Sequence, residues 1–263
     1  MIGDYHVHTL HSDGEGAMAD CVERAIALGL PEMGFADHLV PAGDDYSGYG
    51  IGPAARLDEY VADVRAAAAR YPQIRVLLGL EVDYVPGTES EIAELLGRHR
   101  FDYLLGSVHF VDGFGFDERR NHDDERWHDV EAVYGTYYRT LRQAVETGRF
   151  TAIGHFDLPK KFGRRPTCAP TAYEDEALAA AAAVGMAIEV NTAGLRQPAV
   201  GETYPSAAIV ERACRLGIPV IFGSDAHRPA DVGAGFAQAV ACARAAGYES
   251  TLRLSDRAQV RLP

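Results

Sequence analysis

Cysteine is scarce in this chain. The 263 residues hold four, Cys21, Cys168, Cys214 and Cys242. They are scattered without a C-x-x-C spacing, and three fall in helix-like stretches. They therefore read as buried thiols, not as a disulfide framework or a thiolate metal site. No basic region followed by an apolar run opens the chain, so no signal peptide is evident. No apolar stretch is long enough to span a membrane. These absences point to a soluble protein of the reducing cytoplasm. Positive charge is also short: 25 Lys and Arg stand against 38 Asp and Glu, a net charge of −13. That balance argues against a general nucleic-acid or anionic-membrane binder. There is no G-x-S-x-G nucleophile motif and no P-loop. Linkers, repeats and low-complexity runs are absent except for the alanine tract 179–183, which reads as a helix face.

What is present suits one folded unit, 1–263. Hydrophobic residues make up 47% of the chain, ample for a core. β-rich apolar runs occur at 3–8, 32–37, 75–81, 102–109, 150–155, 186–191 and 218–223. Amphipathic stretches at 17–29, 54–71, 88–98, 129–147, 171–184, 206–216 and 231–246 separate them. Strands alternating with helices predict a parallel sheet. Seven such units predict an α/β barrel one strand short of eight, with an open doubly wound sheet as the alternative.

The strand ends carry the chemistry. His6 and His8 lie on the first run, and Asp13 follows in a short H-S-D-G loop. Asp37 and His38 end the second run, Glu81 the third, His109 the fourth and His155 the fifth. Asp225 and His227 follow the seventh, in GSDAH. Residues two apart on a strand point to the same side, so His6 and His8 share a face. A single histidine is more often structural than a ligand. Recurrence at successive strand ends, which converge on one face of a parallel barrel, changes that reading. Nine candidates exceed the roughly three protein ligands of one catalytic metal. They would hold two or three divalent ions, with a carboxylate such as Glu81 bridging a pair. Imidazole and carboxylate without thiolate favour zinc, manganese or iron.

The stretches DYHVHT, ADH (36–38), GLEVD (79–83), GSVH (106–109), IGH (153–155) and GSDAH (223–227) together resemble the PHP family, named for polymerase and histidinol phosphatase domains. FDYLLGSVHF, AIGHFDLPKKFG, EVNTAGLRQP and GSDAHRP resemble its monofunctional histidinol-phosphate phosphatases in particular. The resemblance implies a distorted (β/α)7 barrel and a trinuclear site. It implies that His6, His8, Glu81 and Asp225 hold one ion, Glu81, His109 and His155 a second, and Asp13, His38 and His227 a third. His11 competes with Asp13 for the last place. Asp4 and Asp37 are expected to orient ligand histidines. The implied reaction is hydrolysis of L-histidinol phosphate, a small phosphomonoester, with Glu81, Asp225 and His227 in the catalytic set.

A basic island, Lys160, Lys161, Arg164 and Arg165, follows His155, and Arg196 follows the sixth run. Cations there can grip a phosphate dianion. Arg196, Lys160 and Lys161 are the candidates, while Arg164 and Arg165 read as a solvated loop. Residues 112–128, which hold the lone Trp127, are expected to form a lid or specificity loop. His99, His122 and His128 are expected to have no metal role. Another PHP-type phosphoesterase or nuclease is the nearest alternative, although the net charge counts against a nuclease. A non-catalytic metal-binding module is the alternative of another class.

Overall fold

In the computed structural model, which describes residues 2–41, 50–51 and 54–263, the N-terminal segment runs extended between two neighbours. On one side Gly34 and Ala36 donate their N–H groups to the carbonyls of Asp4 and Val7, at 2.7 and 2.9 Å. On the other, Tyr5 donates to the Phe222 carbonyl at 3.1 Å, and backbone bonds from His8 to Ala226 and from Ala226 to His6 tie the two segments together beyond it. This segment closes a ring. The Glu32–Phe35 strand pairs with Arg75–Leu78, and the same two staves pair again as His38–Leu39 with Glu81–Asp83. Leu105–Ser107, Ala152–Ile153, Ala187–Asn191 and Val220–Gly223 follow in order, every pairing parallel.

Seven staves result among the described residues, in the distorted (β/α)7 barrel that the alternation predicts. The open doubly wound sheet is excluded by the closure through residues 4–8. That first stave makes only single bridges at Asp4 and Val7, so it is less regular than its sequence suggests.

Helices α1 (Met18–Ala27), α2 (Ala54–Arg70), α3 (Glu89–Gly97), α4 (Val130–Glu146), α5 (Thr171–Val184), α6 (Ala207–Arg215) and α7 (Phe236–Ala245) follow the staves. Their ends have local causes. The Asp129 carboxylate accepts the Ala132 N–H and starts α4, and Gly185 in the left-handed region stops α5. The predicted helix 231–246 begins late, at Phe236, because Gly233 and Gly235 take positive φ and break the turn.

The barrel interior is filled on the side away from the strand C-termini. Tyr103 lies across it and donates to the carbonyls of Tyr5 and Phe35 at 2.8 and 3.0 Å. Gly34 and Gly79 leave the room its ring occupies, since a Cβ at either would overlap that ring. A C-terminal hairpin, Ser250–Leu252 with Gln259–Arg261, covers this end. Its buried Leu254 packs with Tyr5, Leu77 and Ile221, and its N–H reaches the Glu32 carboxylate at 3.2 Å. This hairpin leaves little trace in the sequence, because its strands are three residues each and hold a single buried residue between them. Three of the four cysteine expectations shift as well: Cys21 is buried, but Cys168 is exposed and Cys214 and Cys242 are partly exposed. No helix of the described residues is long and apolar enough to cross a membrane.

Gly79→Ala should therefore lower stability by about 1–3 kcal/mol, the usual scale for overpacking a closed interior. A urea titration followed by circular dichroism would measure it, and an unchanged midpoint would contradict the packing described.

Candidate metal centre

All nine side chains singled out at the strand ends meet on one face of the barrel. His6, His8, His38, Glu81, His109 and His155 are buried, while Asp13, Asp225 and His227 open onto a cleft of about 1000 Å³. Glu81 is the hub. Its Oε2 stands 3.2 Å from His6 Nε2, 3.7 Å from His8 Nε2 and 3.0 Å from His38 Nδ1. Its Oε1 stands 2.7 Å from His155 Nε2 and 3.6 Å from His109 Nε2. Asp225 Oδ1 lies 3.3 Å from His8 Nε2 and 3.5 Å from His227 Nδ1. Asp13 Oδ2 lies 3.1 Å from His227 Nε2, and Asp13 Oδ1 is within 3.8 Å of both His8 and His38.

Four overlapping groups of donor atoms result. They are His8, Asp13, His38 and His227; His6, His155 and Asp225; His6, His8 and Glu81; and His38, Glu81 and His109. His8 and His38 each belong to two groups, so the division into three separate ligand sets implied by the resemblance is not unique. His11 takes no part; its ring pairs with Asp63 at 2.9 Å.

Local structure explains these positions. The turn 9–14 is pinned by Asp37, whose carboxylate accepts the Thr9 N–H, the Thr9 hydroxyl and the Ser12 hydroxyl. That turn swings Asp13 back over His8. His155 and Asp225 both take positive φ, 22° and 52°. Non-glycine residues held there are strained and recur at functional sites. Asp4 holds the 224–233 loop through Ser224 and Gly233 and also accepts the His6 backbone N–H.

Asp4 and Asp37 thus fix backbone and loop, and the expectation that they orient ligand imidazoles is corrected. The imidazole partners are Glu189, 2.7 Å from His6 Nδ1, and Asp83, which bonds His109 Nδ1. Glu189 is the one charged residue of the buried strand AIEVN, and Asp83 stands two residues after Glu81 in the buried strand EVD. A charged residue in such a strand is the signal that could have found them.

Charge is balanced within the cluster. Burial opposes the charged form of His6, but Glu189, Glu81 and Asp225 hold its pKa well above the ordinary value. His38 is raised in the same way by Glu81 and Asp13, and His109, beside Asp83 and Glu81, is raised to about 9. Glu81 and Asp225 are desolvated yet held well below the carboxylate range by their imidazoles. His8 goes the other way, lowered by burial and by His227. His6 Nε2, both His8 ring nitrogens and Glu81 Oε2 are buried without a hydrogen-bond partner. Orphaned buried donors of imidazole and carboxylate type fit divalent transition metals.

The cation candidates divide. Residues Leu158–Phe162 form a 3-10 turn, so neighbouring side chains splay apart. Lys161 lines the cleft, its Nζ 2.9 Å from Asp117. Lys160 turns away and is buried, with Nζ 2.8 Å from both Asp157 and the Thr203 carbonyl. Its expected contact with substrate is therefore corrected. Arg196 lines the cleft; one nitrogen binds the carbonyls of Ser224 and Asp225, and Nη1 is buried without a partner. Arg164 stacks over Trp127 and Arg165 pairs with Glu202, so neither faces the cleft. The segment 112–128 makes one wall through Asp117, Glu118, Arg119 and Arg120, anchored by buried Trp127 against Phe114 and Phe116. His99, His122 and His128 belong to none of the donor groups among the described residues.

The family model for the PHP domain matches residues 4–193. The chain belongs to the PHP family. A PHP-associated model matches residues 209–241, which include Asp225 and His227. A Deinococcus radiodurans protein named "Probable histidinol-phosphatase" is 38% identical over 90% of this chain and 90% of its own. The Bacillus subtilis histidinol-phosphatase is 28% identical, over 88% and 95%. Among solved structures, the Lactococcus lactis histidinol phosphate phosphatase, solved with zinc, L-histidinol and phosphate, superimposes with a TM-score of 0.74 at 21% identity, over 99% of both chains.

Because metals take neutral imidazoles, ions entering this PHP site must displace protons from His6, His38 and His109. Zinc binding at pH 7 should release more than one proton per chain, and affinity should fall as acid restores those protons. Calorimetric titration in buffers of different ionisation enthalpy measures the release; binding that is independent of buffer and pH would contradict it.

Proposed function

We propose that this PHP protein hydrolyses L-histidinol phosphate to L-histidinol and phosphate, using two or three divalent ions, in histidine biosynthesis. The observation that carries the proposal is the convergence of nine donors and a half-satisfied arginine on one cleft, in a chain 38% identical to a relative of that name. His6, His8, Asp13, His38, Glu81, His109, His155, Asp225 and His227 would hold the ions. Bound there, the ions supply positive charge for phosphate oxygens and lower the pKa of an attacking water. The first eight tenths of the chain and its last part both furnish ligands, so 1–263 acts as one domain. The four free thiols suit a reducing cytoplasm.

The protein's own groups perform the rest. Arg196 lines the cleft with its Nη1 unpartnered and would turn that group to a phosphate oxygen, while its other contacts fix the loop that carries Asp225. Lys161, kept charged by Asp117 despite burial, adds a second cation at the same cleft. These groups are placed to meet charge on the transferring phosphoryl group, where preorganised donors act most strongly. His227 is the most exposed imidazole of the nine and is raised in pKa by Asp13 and Asp225, against burial. It can hold a proton near a leaving alkoxide when it is not serving as a ligand. Glu15, Glu118 and Asp231 line the outer cleft. Their carboxylates suit the ammonium and imidazole of the substrate, and such remote contacts help position the reacting group.

Two outcomes follow. In a phosphate-release assay with zinc or manganese, histidinol phosphate should give a higher kcat/KM than a generic phosphomonoester, a diester or single-stranded DNA. No preference over the generic monoester would remove the named substrate, and a diester preference would move the protein to the nuclease-like alternative. Arg196→Ala should cost about 1.5–3 kcal/mol of transition-state binding, the scale of a charge-assisted hydrogen bond. Metal content should fall as well, because Arg196 also holds the Asp225 carbonyl. An unchanged kcat/KM in the variant would defeat the assignment.

A further inference from the structure

Among the described residues the Ala187–Asn191 strand is the one stave whose C-terminal end supplies no candidate ligand, yet it carries a carboxylate that contacts candidate ligands on two other staves. Glu189 is fully buried. Its Oε1 lies 2.7 Å from His6 Nδ1. Its Oε2 accepts the backbone N–H of His155 at 2.9 Å and the side-chain N–H of Asn191 at 3.0 Å. Asn191 Nδ2 in turn reaches Asp225 Oδ2 at 3.2 Å. The orientation of that amide is fixed, because Asn191 Oδ1 accepts the Ala193 N–H at 2.8 Å. The barrel makes space for this carboxylate: a Cβ at Gly223 would overlap Glu189 Oε1.

We infer that Glu189 is a positioning residue that sets the ligand-competent tautomer of His6 and ties it to the backbone of His155 and, through Asn191, to Asp225. The inference rests on the reading of those three residues as metal ligands. An anionic acceptor at Oε1 keeps a proton on His6 Nδ1. The ring then presents Nε2 to the cluster, where it faces Glu81 and Asp225. The N–H at Oε2 holds His155 in its positive-φ conformation, so one carboxylate fixes ligands from two staves directly and a third through Asn191. Such outer partners commonly govern metal affinity by fixing tautomer and ring orientation.

Glu189→Gln separates this role from packing, because the two side chains have nearly the same shape. Two donors, from His155 and Asn191, require an oxygen at the Oε2 position. The new NH2 group must then face His6 Nδ1 and donate to it. The ring proton moves to Nε2 and blocks the ligand atom. Zinc-reconstituted wild-type and variant chains would be compared by elemental analysis after dialysis and by competition with a chromophoric chelator, with circular dichroism as the folding control. The variant should keep its fold, retain fewer zinc ions, and bind the ion at His6 about 10- to 100-fold more weakly.

A second reading needs no variant: 15N NMR of the zinc-loaded wild type should place the His6 proton on Nδ1. A variant that matches wild type in zinc number and affinity, or a wild-type His6 protonated on Nε2, would overturn the role of Glu189. A wild-type chain that retains no zinc would overturn the metal reading itself, and this inference with it.

Discussion

Five imidazoles converge on one buried carboxylate. Glu81 is fully inaccessible, and His6, His8, His38, His109 and His155 all bring a ring nitrogen to within 3.7 Å of it. Burying that many polar groups is costly unless each is paired or neutralised. The surrounding carboxylates favour the charged forms of His6, His38 and His109, and those imidazoles in turn hold Glu81 in its charged form. Divalent ions do the same work with fewer, more concentrated charges, and they also satisfy the orphaned nitrogens of His6 and His8. The cluster is built for cations whichever kind occupies it.

The barrel makes this concentration possible. Parallel staves all end on one face, so side chains from residues 6 to 227 meet without a long loop among them. The opposite end must then be closed by other means. Tyr103, the two glycines beneath it and Leu254 of the C-terminal hairpin perform that closure. Asp4 joins the two ends of the chain: it touches the His6 backbone, Ser224 and Gly233, and so holds the seam between the first and last staves. Stability and site geometry share this seam, since His6 and Asp225 lie on either side of it.

Much of the centre was legible because strand-end residues fall at fixed places in the β/α alternation. His6 and His8 share a face by their spacing alone, and GSDAH could be placed once its strand was recognised. Asp13 could not be separated from His11 by sequence, because the answer lies in the 9–14 turn and its anchoring by Asp37. Lys160 and Lys161 are adjacent in sequence and differ only through the turn that splays them. Glu189 and Asp83 escaped notice as partners because their role depends on which neighbour each side chain meets across the barrel. The C-terminal hairpin escaped for a different reason: its strands carry too few buried residues to show a period.

The central claim is that Glu81 stands between metal ions held by the surrounding imidazoles. Anomalous diffraction at the zinc edge, from crystals of the zinc-loaded chain, tests it most directly. Two or more peaks within bonding distance of the nine side chains, with Glu81 between a pair of them, is the result this account predicts. A single peak, or zinc bound elsewhere while these side chains stay uncoordinated, would contradict it.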